Sequence, residues 1–338
     1  MSASGHLTRV IQAFTTSLFN RKHIESKDTI LVVGSPRSGT TWVMNILCAL
    51  PGHTYLFEPL NPLWFPESFE VGFRSRTYVP PDCRWPEGEQ YLAKIFEGKH
   101  AQLPIIDDPL SDLSHGFSFR TLLEYLLHHK LIVKSVNMNR MLPWVAQRFR
   151  LRGIVCIVRH PCAVVASQFK TGLCGYHTTT PPYIDVFPTS DTLVNEVNKL
   201  QGLSSSIITM VKNISTREEV LAAAWCLDNY TILSQSKSSL WNLVIYENLF
   251  QRKEELECLF SSLGEKNVPR VAFHRYKKPS AVTTPESKRG MKRPDQHLSQ
   301  WKQYLSEKQI ERILRVVSAF DIRLYSADVE PHIEALRT

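Results

Sequence analysis

Short apolar runs recur along the chain, and most are followed by stretches in which apolar residues return every three or four positions. Residues 29–34 (TILVVG) form a β-branched apolar run that ends at Gly, the signature of a buried strand. Similar runs at 54–57 (TYLF), 131–134 (LIVK), 153–158 (GIVCIV) and 243–246 (LVIY) predict four more. Helices are expected over 40–50, stopped by Pro51-Gly52, and around 141–149, 161–170, 217–235, 249–263 and 307–320. Apolar strands alternating with helices imply a central, mostly parallel sheet flanked by helices, a three-layer α/β fold. No internal repeat or separating linker is visible, so residues 29–338 read as a single domain. The preceding 1–28 segment places Leu7, Val10, Ile11, Phe14 and Leu18 on one helical face. That face either docks on the protein body or makes peripheral membrane contact.

Two regions break the rhythm. From Pro59 to about Asp112, the stretch carries Pro59, Pro62, Pro66, Pro80, Pro81 and Pro86 among Trp64, Phe65, Phe69, Phe73, Tyr78 and Trp85, which predicts a long ordered excursion of the kind that shapes substrate sites. The stretch 171–206 is richer in Thr, Ser, Pro and Asn, and reads either as a lid or as a connection.

Charge narrows the partner. The chain of 338 residues carries 40 Lys and Arg against 32 Asp and Glu, a net charge of +8. Such a balance favours an anionic partner, and without a polybasic tail or an RNA-type aromatic signature a small anionic ligand is favoured over nucleic acid. The seven cysteines form no CxxC pair and lie mostly in apolar segments, as reduced core thiols do. No metal-ligand cluster is visible. No apolar run approaches the roughly 18 residues of a membrane span, and a cytoplasmic protein is expected.

The chemistry concentrates in ILVVGSPRSGTTW, residues 30–42. Gly34 and Gly39 have the spacing of a phosphate-binding loop between a strand and a helix, which turns backbone N–H groups and the positive helix end toward one anion. Arg37, Ser38, Thr40 and Thr41 add side-chain donors. A nucleoside-triphosphate enzyme would carry Lys at the position of Thr40 and an acidic residue at a neighbouring strand end to hold Mg²⁺. Here strand 153–158 runs into Arg159-His160, so a P-loop kinase or NTPase is the weaker alternative.

Ser35 to Trp42 (SPRSGTTW) resembles the 5′-phosphosulfate loop of the sulfotransferases, which use 3′-phosphoadenylyl sulfate (PAPS) as donor and release 3′,5′-ADP. Val158 to Ser167 (VRHPCAVVAS) is similar to that family's second motif, in which an Arg and a Ser eight positions later hold the donor's 3′-phosphate. Leu243 to Leu249 (LVIYENL) resembles a later element of the same family, with Asn248 where Asp is usual, and the three occur in family order. The resemblance implies a donor site drawn from Arg37, Ser38, Gly39, Thr40, Thr41, Trp42, Arg159 and Ser167, with no metal. Lys288 and Arg289 belong either to that site, as the family's basic-Gly loop implies, or to a solvated basic loop. For Ser167, two turns along its expected helix, to reach the same anion, the first loop must fold back over that helix.

Sulfuryl transfer is an in-line displacement that requires alignment, charge stabilisation and removal of the acceptor's proton. Arg37 suits the leaving phosphate and transferring group. The His that follows a Lys-Thr pair in the phenol and steroid branch is absent from Lys134-Ser135-Val136-Asn137. Instead Leu56-Phe57-Glu58-Pro59 resembles the LFEP stretch of the carbohydrate sulfotransferases, which implies Glu58 as base and a sugar or glycolipid acceptor. Lys134 either faces the sulfuryl group or pairs with Glu58, and the two roles are compatible. His53, His160 and His177 are bases by residue type only. The excursion's aromatic residues either stack sugar rings or pack the excursion, with Arg74, Arg76 and Arg84 near for anionic groups. A non-catalytic donor-binding homologue is the remaining alternative, opposed by the presence of Arg37 and Glu58.

Overall fold

All five expected strands form, each within one residue of its expected ends: β1 (Thr29–Gly34), β2 (His53–Phe57), β3 (Lys130–Ser135), β4 (Gly153–Val158) and β5 (Asn242–Ile245). They belong to a computed structural model that describes residues 24–62, 65–99, 129–171, 189–200, 203–278 and 294–336. The strands pair in the order β2-β3-β1-β4-β5, every pair parallel. Tyr246, expected in a strand, instead opens the helix Tyr246–Gln251, because β4 ends at Val158 opposite Ile245 and offers no further partner.

The period-two alternation of side chains divides the core into two layers. Leu31, Val33, Leu131, Val133, Cys156 and Val158 point to one face. Helices Pro86–Phe96, Leu142–Arg148, Pro161–Thr171, Arg217–Ser234 and Glu307–Ala319 cover it. Ile30, Val32, Ile132, Val155 and Ile157 point to the other, under Thr40–Leu47, Tyr246–Gln251 and Lys253–Ser262. Helix Arg217–Ser234 carries apolar residues all around because it packs among helices Pro161–Thr171, Ser190–Lys199 and Glu307–Ala319.

Helix ends depart from expectation in two places. The helix starting at Thr40 stops at Leu47, where i→i+3 bonds from Ala49 and Leu50 tighten the chain ahead of Pro51. The expected 249–263 helix is two helices, Tyr246–Gln251 and Lys253–Ser262, joined through an extended Arg252 (φ −120°, ψ 119°). Within the excursion, Pro66–Val71 and Pro86–Phe96 are helices that begin at proline, where the missing N–H has no helical partner to lose. Phe65 and Phe73 are buried there, Phe73 lying 4.4 Å from the Trp85 ring. Trp64, residues 100–128, residues 172–188 of the suggested lid and the amphipathic segment with Leu7 to Leu18 lie outside the described residues. Among the described residues no helix is long and apolar enough to cross a membrane.

Candidate active site

Because every strand is parallel, their C-terminal ends meet on one edge, where ligands of open α/β sheets bind. β1 enters this edge at Gly34, whose added Cβ would stand 2.5 Å from Ser38 Oγ and 2.6 Å from the Ile157 carbonyl oxygen. The turn closes with Ser38 N–H donating to Ser35 O at 3.0 Å. Arg37 takes φ +76° and Gly39 φ +99°. A Cβ on Gly39 would lie 2.6 Å from the Tyr246 ring, so this position needs glycine for both its conformation and its space. Helix Thr40–Leu47 then starts with the amides of Thr40, Thr41 and Trp42, which precede its first internal bond, Val43 N–H to Gly39 O. Trp42 is buried beside Tyr246, Phe250 and Tyr276, with ring centroids 5.5, 5.8 and 5.5 Å away.

The loop does fold back over the helix of the second motif. Arg37 Nε donates to Ser167 Oγ at 3.0 Å, and Gln168 Nε2 donates to Pro36 O at 3.1 Å. Arg159, just past the end of β4, donates from a terminal guanidinium nitrogen to Arg37 O at 3.2 Å and lies 4.4 Å over the Tyr246 ring. Ser38 Oγ and Arg159 Nε are buried and have no hydrogen-bond partner among the described residues. Two unsatisfied donors beside a helix start and a second Arg suit an oxyanion, since a buried donor left unpaired costs about 1–3 kcal/mol. From the central helix, Asn229 Nδ2 donates to Ser35 Oγ at 2.9 Å and anchors the loop's first residue. Lys288 and Arg289 lie outside the described residues.

On the other side of β1, Glu58 follows the last residue of β2 at φ +48°, only 5 % exposed. Its carboxylate forms an ion pair with Lys134 and accepts from the Val136 N–H at 3.0 Å. Its own N–H donates to Lys134 O at 2.8 Å. Register explains the meeting: Phe57 pairs with Lys134 across β2 and β3, so the next residue of β2 falls beside the end of β3. Lys134 Nζ also sits 4.4 Å over the Phe57 ring.

Other candidates separate from this edge. His53 begins β2 at the opposite end, donates from Nδ1 to Pro51 O at 3.0 Å and receives an Arg152 N–H on Nε2 at 3.2 Å. His160 donates from Nε2 to the Ser326 and Asp328 carbonyls at 3.1 Å each and accepts Cys162 N–H on Nδ1 at 3.2 Å. Burial lowers both to about 4, so these imidazoles are neutral structural groups with both nitrogens engaged, not bases. His177 is outside the described residues. Arg74 is bound to the Phe69 and Phe73 carbonyls and covers the Phe69 ring, and Arg84 is exposed.

Several groups at this edge have no counterpart among the candidates read from sequence. The Tyr246 hydroxyl is 3.0 Å from His297 Nε2, and burial, with Arg159 nearby, lowers the His297 pKa to about 3. Glu247, whose carboxyl burial raises above its usual range, accepts from His160 N–H at 2.9 Å and from Tyr325 O–H at 3.0 Å. Asp228 and Asn229 leave one signal in the sequence, two polar residues inside the apolar run LAAAWCL-DN-YTIL of a helix buried all round. Among the described residues no group of three or more His, Cys, Asp or Glu is placed to hold a metal ion.

Fold and site together define a class: a parallel α/β protein with a glycine-bounded strand-to-helix loop and two arginines at one sheet edge. Residues 29–191 match a family model described as "Sulfotransferase family". The matched segment contains Arg37, Glu58, Lys134, Arg159 and Ser167. No curated protein matches the chain. Among solved structures, the sulfotransferase domain of the olefin synthase from Synechococcus PCC 7002 is 16 % identical, covers 91 % of this chain and 97 % of its own, and superposes with a TM-score of 0.45.

Proposed function

We propose that the protein transfers a sulfuryl group from PAPS to a hydroxyl of a carbohydrate or glycolipid. The observation that carries this reading is the gathering of Arg37, Arg159 and Ser167 around one loop, with Ser38 Oγ and Arg159 Nε buried and unsatisfied beside it. PAPS supplies, when bound, an activated sulfuryl group on a phosphate leaving group. The loop amides, Ser38, Thr40 and Thr41 hold the 5′ anionic end, and Arg159 with Ser167 holds the 3′-phosphate. Arg37 stays charged at any working pH and neutralises charge on the departing phosphate. Glu58 accepts the acceptor's hydroxyl proton as its oxygen bonds to sulfur and the sulfur–phosphate oxygen bond breaks, which leaves a sulfate ester and 3′,5′-ADP. Lys134 holds the Glu58 carboxylate in place and presents its ammonium on the same side. The chemistry of Glu58 following a strand of the LFEP type, rather than a strand-end His, is what favours a sugar hydroxyl.

A ligand that binds only the folded protein raises its apparent stability, by about 2.7 kcal/mol at a hundred times its Kd. Thermal midpoints with 3′,5′-ADP and with Mg-ATP therefore discriminate between donors, and 3′,5′-ADP is expected to protect far more strongly. Equal or greater protection by Mg-ATP would sink the reading. Transfer of labelled sulfate from PAPS to a panel of sugars and glycolipids tests the acceptor half.

A further inference from the structure

Behind the Glu58–Lys134 pair lies a buried charge cluster that the sulfuryl-transfer scheme does not use. Arg140, 4 % exposed, places Nε 2.9 Å from one oxygen of Asp228 and reaches Glu196 at 3.3 Å. Asp228 is 1 % exposed, and Glu196 is also claimed by Lys199 at 2.7 Å. Arg76 enters from the excursion with its side chain 12 % exposed, and its Nε is 3.6 Å from the second Asp228 oxygen, beyond hydrogen-bond reach. Among the described residues Arg76 and Arg140 thus share the buried Asp228 carboxylate, Glu196 is divided between Arg140 and the exposed Lys199, and no carboxylate lies within hydrogen-bond reach of Arg76. Burial, with Arg140 as a like-charged neighbour, pulls the Arg76 pKa below its usual value, yet a guanidinium remains charged.

Placement gives this incompletely matched guanidinium its meaning. Arg76 takes φ +56°, a left-handed conformation that a non-glycine residue adopts only when its surroundings impose it. Its backbone N–H donates to Asn137 Oδ1 at 3.3 Å, one residue past the Val136 N–H that holds Glu58. Asp228 precedes Asn229, whose amide anchors Ser35 of the donor loop. Arg76 therefore stands between the two halves of the reaction site, on the excursion that borders the acceptor side. A buried guanidinium with no carboxylate in hydrogen-bond reach among the described residues is matched by an incoming anion, which it can hold through two parallel N–H bonds.

We infer that Arg76 is an acceptor-recognition residue, and that the acceptor carries an anionic group, a carboxylate or an existing sulfate or phosphate, near the hydroxyl that is sulfated. The inference rests on the sulfuryl-transfer reading of the site. It is tested on the full chain saturated with 3′,5′-ADP, by calorimetric titration with methyl β-glucuronide and glucose 6-sulfate, each compared with neutral methyl β-glucoside. One charge-assisted bidentate contact predicts that at least one anionic sugar binds about tenfold or more tightly than the neutral one. Arg74→Met retains that preference and Arg76→Met loses it. Which of the two anionic sugars gains distinguishes a carboxylate from a sulfate or phosphate partner. Equal binding of anionic and neutral sugars, absence of binding by all three, or a preference preserved in Arg76→Met overturns the inference. If Arg76→Met fails to fold, judged by loss of 3′,5′-ADP protection, Arg76→Lys takes its place, and an undiminished preference there overturns it equally. Failure of 3′,5′-ADP to protect the wild type is a failure of the donor reading instead, and the same three sugars titrated without it still report on Arg76.

Discussion

Glu58→Gln separates two roles that the same carboxylate holds. The substitution keeps the length of the side chain and an oxygen for the Val136 N–H, 3.0 Å away, but removes the charge opposite Lys134. Both side chains are about 5 % exposed, at 6 % for Glu58 and 5 % for Lys134, so the ammonium is left buried and unpaired. Breaking a buried pair from one side costs about 3–5 kcal/mol. With an unfolding entropy of about 2.1 cal/mol/K per residue over 338 residues, the thermal midpoint falls by roughly 4–7 °C. If Glu58 is also the base, turnover drops by about 10²–10⁴-fold while 3′,5′-ADP still protects the protein. The double variant Glu58→Gln/Lys134→Met removes the orphaned charge, and most of the lost stability is expected to return without activity. The assay pairs thermal melts with labelled-sulfate transfer for each single variant and for the double variant. Activity that returns together with stability in the double variant, or normal turnover in Glu58→Gln alone, would refute the base assignment and leave an ion pair that only fixes the ends of β2 and β3.

Other parts of the site give sharper, smaller tests. Arg159→Met is expected to weaken 3′,5′-ADP by roughly tenfold to a hundredfold while leaving 5′-AMP nearly unchanged, and calorimetric titration of both nucleotides reads the difference; equal losses would remove Arg159 from the 3′-phosphate. Gly39→Ala sets a Cβ 2.6 Å from the Tyr246 ring at φ +99°, so it is expected to lose at least about 1–2 kcal/mol and most donor protection. A melt indistinguishable from wild type would show that the loop is not held as described. Stability also carries the mark of His160: its folded pKa of about 4 lies below the ordinary value of 6.5, so the unfolded chain takes up the proton first as pH falls. The stabilisation is complete above about pH 6.5 and is lost progressively down to about pH 4. In His160→Gln the slope of denaturant midpoint against pH across that window is expected to flatten, and an unchanged slope would assign it to other groups.

Sequence pattern locates the three central strands well because they are buried on both faces and therefore read as uninterrupted apolar runs. TILVVG and GIVCIV coincide with β1 and β4 for that reason. Order in the sheet is a different matter, since pairing β1 between β3 and β4 depends on how helices pack and leaves no local trace. The break at Arg252 is equally silent, because the residues on both sides keep helical spacing. In the site, Arg37 and Ser167 are legible as separate motifs, yet their contact depends on the left-handed φ of Arg37, a conformation no arginine announces. Arg76 and Asp228 lie 152 positions apart, and only the fold shows that one buried carboxylate serves two guanidinium groups. The histidines show the converse: His53 and His160 are conspicuous by type, and their surroundings reduce both to neutral hydrogen-bonding struts.

The strand order has a consequence for how such a protein can change over time. Everything proposed for the donor hangs from β1, β4 and β5, and everything proposed for the acceptor hangs from β2, β3 and the excursion between them. β1 is the seam between these halves, and β2 is an edge strand whose connection to β3 carries none of the residues proposed for the donor. The register of β1 with β4 is set by pairs that include no residue of that connection. New acceptors can thus be explored by insertion and drift in one contiguous stretch of chain, while the donor machinery is inherited intact.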